Sequence, residues 1–403
     1  MNSNDLKKNI SERLNNLSDS QTLVMTQMSR DMRAQGIDVI NLSIGEPDFD
    51  TPNHIKEAAK KAIDENFTHY PPVAGFPDLK EAISSKFKRE NNLDYATNQI
   101  IVSNGAKHSI ANVILSIVNK DEEVIIPAPY WVSYIEIVKI AEGIPVIINA
   151  GMENDFKITP EQIKNAITEK TKAIFFNSPS NPTGTVYSKD EIKAIADVLA
   201  DYSNIFILSD EIYEHIVFEG KHESIAQFNS VKDRVITING VSKGYAMTGW
   251  RIGYIGAAKC VVDACNKIQG QCTSGANTIA QKASVAALNS DNSFSIEMKN
   301  TFNKRRDLVL NLIEDIPGLA CNKPNGAFYV FPDASYYFGK SFENYKIKDD
   351  SALCIFLLEV AHVAIVPGCA FGAPKNIRLS YAASEKDIKE AMKRIKNALA
   401  LLV

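Results

Sequence analysis

The stretch Ser242-Lys243-Gly244-Tyr245-Ala246-Met247-Thr248-Gly249-Trp250-Arg251-Ile252-Gly253-Tyr254 holds the residues best suited to chemistry. One lysine stands between small neighbours, and an arginine follows eight positions later in a glycine-rich frame. A lysine forms Schiff bases with carbonyls when its surroundings lower its pKa. The planar fork of an arginine holds a phosphate through two hydrogen bonds. Small neighbours let a bulky ligand approach the backbone.

Other candidates are spread along the chain. Ser103-Asn104-Gly105-Ala106-Lys107 is a small-residue turn opening a helix, and such a turn presents free N–H groups to a phosphate. Many turns of this kind bind nothing. Trp131, after Pro127-Ala128-Pro129-Tyr130, could stack on an aromatic ring or simply pack. Asn181-Pro182-Thr183-Gly184 is a plain turn on the bland reading; on the functional reading the amide of Asn181 faces a ring oxygen. Asp210 ends an apolar run, so its carboxylate is desolvated and wants a cationic partner. The same pattern also occurs at metal and nucleotide sites.

The elements that must position these residues alternate. Helices are expected over 54–65, 78–89, 106–118 and 188–199. Short apolar strands are expected over 99–103, 123–127, 145–149, 171–176 and 205–209. Short, non-alternating strands separated by helices indicate a mainly parallel sheet covered on both faces, an α/β fold. Beyond about Ala287 the texture changes. A long helix over 296–314, strands at 327–331 and 376–380, and helices at 352–361 and 386–401 suggest a smaller α+β domain. The first 40 residues read as helical and polar, joining that domain or reaching another subunit. Ligands in open α/β sheets bind beyond the carboxyl ends of the strands, where the candidates lie.

Composition narrows the class. The 403 residues carry 44 Lys+Arg and 48 Asp+Glu, a net charge of −4, which gives no electrostatic case for nucleic acid. No apolar run approaches a membrane span, and the start, Met1 to Lys8, does not read as a signal peptide. None of the six cysteines forms a C-x-x-C pair, so free thiols in a reducing cytoplasm are expected. Cys369 reads as a small buried residue, with a reactive thiol as the alternative. His222-Glu223-Ser224-Ile225-Ala226 lacks the second histidine of a zinc-protease helix, and no metal site is expected. The histidines read as structural or solvated.

Taken in order, Gly105-Ala106-Lys107, Trp131, Asn181-Pro182-Thr183-Gly184, Asp210-x-x-Tyr213, Ser242-Lys243 and Arg251 match the motif order of the class I/II aminotransferases. These enzymes use pyridoxal 5′-phosphate. The resemblance extends from about Ile40-Asn41-Leu42-Ser43-Ile44-Gly45 to Asn376-Ile377-Arg378-Leu379-Ser380-Tyr381. It implies the fold type I of such transferases, with an N-terminal arm and part of the small domain in 1–45, a large cofactor domain in 46–290 and a small domain in 291–403. It gives Lys243 the Schiff base and the proton transfer, and Asp210 the pyridine nitrogen. Asn181 and Tyr213 would hold the ring oxygen, and Trp131 would stack on the ring. The backbone at Ala106 and Lys107, Ser242 and Arg251 would hold the phosphate. Tyr70 resembles a tyrosine that reaches the neighbouring subunit's phosphate, so a homodimer with shared sites is implied. Arg378 would bind the substrate α-carboxylate, with Gly45, Trp131 and Asn181 beside it.

Within the family the chain resembles the aspartate aminotransferase branch that also includes aspartate/glutamate-prephenate aminotransferases. There Lys107 would meet a distal carboxylate and Thr22 would line the pocket, although Gln21 departs from the smaller residue often found beside it. The implied substrates are aspartate or glutamate with 2-oxo acids, and prephenate or aromatic 2-oxo acids as further acceptors. The rivals are a C–S lyase, an aminotransferase specific for aromatic amino acids, and a cofactor-sensing regulator. The regulator is disfavoured because only about 40 residues precede Leu42, with no basic recognition helix.

Overall fold

The computed structural model describes residues 10–403; the start of the N-terminal arm, Met1 to Asn9, lies outside the described residues. Seven strands form the central sheet: β1 (Ile100–Ser103), β2 (Glu123–Ala128), β3 (Ile144–Asn149), β4 (Thr171–Asn177), β5 (Phe206–Asp210), β6 (Val235–Gly240) and β7 (Gly253–Gly256). Their spatial order is β1-β7-β6-β5-β4-β2-β3. β7 runs antiparallel to both its neighbours, and every other pairing is parallel.

The pleat explains why these runs are apolar at every position. Ile100, Val102, Ile125, Ile174 and Ile207 enter one apolar cluster, while Ile101, Val124, Ile126, Phe175 and Leu208 enter the other. Each face needs its own hydrophobic layer, so alternation with polar residues is lost. A fully buried Ile or Leu contributes roughly 1.5–3 kcal/mol. Helices Asn53–Asp64, Pro77–Lys86, Lys189–Ala200 and Thr278–Leu288 cover the first face, and Ala106–Ile117, Ser133–Ile140 and Lys259–Cys272 cover the second. Only β3, at the edge, leaves Ile144 and Ile147 exposed.

Two helix starts behave differently. Ser188 caps Lys189–Ala200, accepting from the Glu191 N–H while the Glu191 side chain bonds back to the Ser188 N–H. Helix Ala106–Ile117 begins at Gly105 with no side-chain cap. Among the described residues, no protein acceptor faces the N–H groups of Ala106 and Lys107. One helix seals its N-terminus; the other leaves it open to an anion.

A further cluster gathers Met25, Val39, Ile40 and Leu42 with Phe302, Val309, Leu357, Val363 and Leu399. Helix Gln21–Ala34, the 22-residue helix Ser293–Glu314 and helices Asp350–Val360 and Glu385–Leu399 surround it. Ile40–Asn41 pairs in parallel with Val363–Ala364, which ties the N-terminal arm to the C-terminal third. Tyr329–Val330, Ile377–Ser380 and Val366–Pro367 form a three-stranded antiparallel sheet. No described helix is long and apolar enough to cross a membrane.

Two sequence expectations need correction. Strands β6 and β7 are not among the expected elements, although β7 begins within the motif that carries Lys243 and Arg251. Its sequence, Gly253-Tyr254-Ile255-Gly256, carries glycines at both ends, which masks its strand character. Gly253 is required there, because a Cβ at that position would collide with the Ala106 N–H. Cys369 is exposed rather than buried, since the turn Gly368–Phe371 projects it outward with Sγ 3.4 Å from the Ser351 hydroxyl.

Candidate active site

A cavity of about 300 Å³ opens at the carboxyl ends of β4, β5 and β6. Its lining includes Thr22, Gly45, Ala106, Lys107, Trp131, Asn181, Asp210, Tyr213, Ser242, Lys243, Arg251 and Arg378. These are all the candidate site residues except Tyr70, which is 94% exposed and absent from its own chain's cavity.

Lys243 follows β6, and its Nζ donates to the Gly45 carbonyl oxygen. Burial pushes its pKa down to about 8, helped by the positive charges of Arg378 and Arg251 and opposed by Glu46 and Asp210. A buried ammonium near 8 supplies a substantial neutral fraction close to physiological pH, the form needed in a nucleophile or base.

Asp210 is the last residue of β5. Burial raises its pKa to about 6, against the lowering effect of its hydrogen bonds. Oδ2 accepts from the Tyr134 phenol at 2.6 Å and Oδ1 from the Ile212 N–H at 3.3 Å. Both donors are neutral, so the carboxylate has no cationic hydrogen-bond partner and suits a positively charged ring nitrogen. Asn177, at the end of β4, donates to the Asp210 carbonyl at 2.8 Å and accepts from the Asn181 N–H at 3.0 Å. Neighbouring parallel strands thus place the acid and the amide side by side.

Arg378, on strand Ile377–Ser380, is 2% exposed. Nη1 donates to Asn181 Oδ1 at 2.8 Å and Nη2 to the Ser43 carbonyl at 2.6 Å. A guanidinium has five N–H donors; the buried Nε is among those with no protein partner. Arg378 lines the cavity, and the N–H groups of Nη1 and Nη2 not used by Asn181 and Ser43 are left for an acceptor supplied by a ligand. Because Arg378 occupies Asn181 Oδ1, the amide nitrogen of Asn181 is left as the available donor. The Tyr213 hydroxyl lies 2.7 Å from that of Tyr329, and burial raises both phenols, keeping them protonated donors.

At the opposite wall, Arg251 Nη1 donates to the Thr248 carbonyl at 2.9 Å. Gly105 has φ +85°, and a Cβ there would strike this guanidinium. The open N-terminus at Ala106 and Lys107, the Ser242 hydroxyl and Arg251 therefore line one small anion-attracting pocket. The Lys107 ammonium sits 5.0 Å from the centre of the Trp131 ring. Desolvation, then Arg251, lowers its pKa.

These donors fit pyridoxal phosphate. Open helix N–H groups and Arg251 suit the phosphate, Asp210 suits a pyridinium, and Lys243 suits an aldehyde. Sequence reasoning missed Tyr134, Asn177 and Tyr329. Trp131 lies just before helix Ser133–Ile140 and Tyr134 in its first turn, with the two rings 5.4 Å apart edge to face. Tyr329, within Ala327-Phe328-Tyr329-Val330, reads as core, and nothing in the sequence distinguishes it. The acid and histidine groups Glu90/Glu214/His215 and Glu211/Glu214/His222 have ligand-like spacing. The buried Lys86 ammonium binds Glu214 and lies 3.6 Å from Glu90, so it neutralises part of that charge.

Comparison with known proteins shows the family. Residues 37–395 match the family model for aminotransferase class I and II, and the chain belongs to that family. A probable aspartate/prephenate aminotransferase of Rickettsia bellii is 47% identical, covering 98% of this chain and 99% of its own. An aspartate aminotransferase of Bacillus subtilis is 46% identical over 96% of this chain and 98% of its own. Among solved structures, the aspartate aminotransferase of Rhizobium meliloti superposes with a TM-score of 0.94 at 43% identity, covering 98% of this chain and 99% of that one. The fold is that of these enzymes.

Proposed function

We propose that this chain is a pyridoxal-phosphate-dependent aminotransferase that exchanges amino groups between aspartate or glutamate and 2-oxo acids. The observation that carries the reading is Lys243, Asp210 and Arg378 converging on one cavity, the acid and the arginine buried, the lysine half-buried and lowered in pKa by desolvation. The relatives named for aspartate and prephenate support the substrate choice.

The cofactor, when bound, supplies an aldehyde for the amino group and a ring that accepts electrons. The residues do the rest. Ala106 and Lys107 N–H groups, Ser242 and Arg251 hold its phosphate. Asp210, oriented by Tyr134, keeps the ring nitrogen protonated. The Asn181 amide and the Tyr213 hydroxyl donate to the ring oxygen, and Trp131 covers the ring face. Arg378 grips the substrate α-carboxylate and so fixes Cα beside Lys243 Nζ. Neutral Nζ takes the proton from Cα and delivers it again later in the reaction. Lys107 meets the distal carboxylate of a dicarboxylic substrate, with Thr22 and Gly45 bounding the pocket. Prephenate and aromatic 2-oxo acids are further acceptors, and Tyr70 completes the phosphate site of a second copy in a homodimer.

The test is a single-turnover comparison of donors. Aspartate and glutamate should discharge the yellow colour of the loaded protein faster than alanine, tyrosine or phenylalanine. Release of pyruvate and ammonia without an acceptor would instead mark a lyase.

A further inference from the structure

Tyr329 touches three parts of the site at once. It lies on the two-residue strand Tyr329–Val330, directly across from Ser380 on the strand that carries Arg378. Its hydroxyl is 2.7 Å from the Tyr213 hydroxyl. Its ring lies beneath the Arg378 guanidinium, with Cζ 4.6 Å from the ring centre. Its oxygen also faces Gly45, where an added Cβ would sit only 2.6 Å away. The side chain has no exposed surface, so the contacts are fixed by packing.

We infer that Tyr329 is a positioning residue that sets the donor strength of the Tyr213 hydroxyl and seats Arg378 against the substrate. The inference rests on the assignment of Tyr213 to the cofactor ring oxygen. A phenol that accepts a hydrogen bond becomes a better donor through its own O–H, because bonds in a chain polarise one another. When Tyr213 donates towards the ring oxygen, its lone pair is left to accept from Tyr329. The second contact is independent of that chain: an aromatic face under a buried guanidinium stabilises the cation and fixes its plane.

The division predicts two separable effects. Tyr329→Phe keeps the ring under Arg378 and removes only the oxygen. Tyr213 then donates more weakly, the ionised ring oxygen is less stabilised, and the bound cofactor holds its proton to higher pH. The midpoint pH of the visible absorbance change of the loaded protein should rise by about half a unit or more, with little change in KM for aspartate. Tyr329→Leu removes the ring as well, and should in addition raise KM for aspartate about fivefold or more.

The experiment is a visible-absorbance pH titration of the holoenzyme for wild type, Tyr329→Phe, Tyr213→Phe and the double variant, with thermal melting of each. Tyr329→Phe should shift the midpoint alone and add nothing to Tyr213→Phe. An unshifted midpoint in Tyr329→Phe, or an equal shift in both backgrounds, overturns the inference while leaving the cofactor reading intact. A wild type that takes up no yellow cofactor, or whose Tyr213→Phe variant titrates unchanged, overturns the reading on which it rests.

Discussion

Replacing Lys107 by alanine should separate dicarboxylic from aromatic substrates. The ammonium lines the cavity, stands 5.0 Å over the Trp131 ring, and is lowered in pKa by desolvation and then Arg251. No acidic side chain is paired with it among the described residues, so a substrate carboxylate would be its counter-charge. Two unit charges about 4 Å apart at a protein surface gain about 4 kcal/mol before desolvation. The net value of a charged hydrogen bond is about 1.5–3 kcal/mol. At 1.4 kcal/mol per decade, kcat/KM for aspartate should fall about 10- to 150-fold. An aromatic donor loses only the support that the ammonium gives Trp131, about 0.5–1 kcal/mol, or less than about fivefold. Removing a positive charge beside Arg251 offsets part of even that. The assay is single-turnover discharge of the cofactor by aspartate and by phenylalanine, each over a range of concentration. Equal losses for the two donors would refute the assignment of Lys107 to a distal carboxylate.

Three further outcomes follow from the same geometry. Lys86→Met leaves Glu214 and Glu90 without the buried ammonium that pairs with them, so urea denaturation should show a loss of about 3–5 kcal/mol; a loss below about 1 kcal/mol would contradict the network. Gly105→Ala strains a backbone at φ +85° and drives Cβ into Arg251, a penalty of about 1–3 kcal/mol, so cofactor affinity measured by fluorescence quenching should drop at least about fivefold. Asp210 has a folded pKa of about 6 against an ordinary 3.8. The folded state therefore binds the proton more tightly, and this contribution is full below the ordinary value and lost as pH rises through about 6. The cofactor-free protein should lose stability across that window, and Asp210→Asn should flatten the profile; an unchanged slope would contradict the burial of the charge.

Much of this was readable in the chain because the α/β sheet writes itself in unbroken apolar runs. Ile100 to Ser103 and Thr171 to Asn177 are buried on both faces, so they stand out without any periodicity. Asp210 was visible as a carboxylate closing such a run. The antiparallel β7 was not, because its two terminal glycines answer to the close approach of Ala106 and the ring of Tyr95 rather than to strand propensity. Tyr329 was hidden for a different reason. Its partners Tyr213, Gly45 and Arg378 are distant in sequence, and only the tertiary fold brings them together. Cys369 misled because burial habits are averages, whereas its place in a surface turn is set by Gly368, whose own Cβ position is blocked by the carbonyls of Ala373 and Asn376.

The claim on which all else depends is that Lys243, and no other lysine, bonds to the cofactor. Borohydride reduction of the pyridoxal-phosphate-loaded protein, followed by peptide mass mapping, tests it directly. The expected result is one phosphopyridoxyl group per chain, on the peptide containing Ser242-Lys243-Gly244, and none in Lys243→Ala. A label on Lys107, or a stoichiometric label that survives Lys243→Ala, would contradict it.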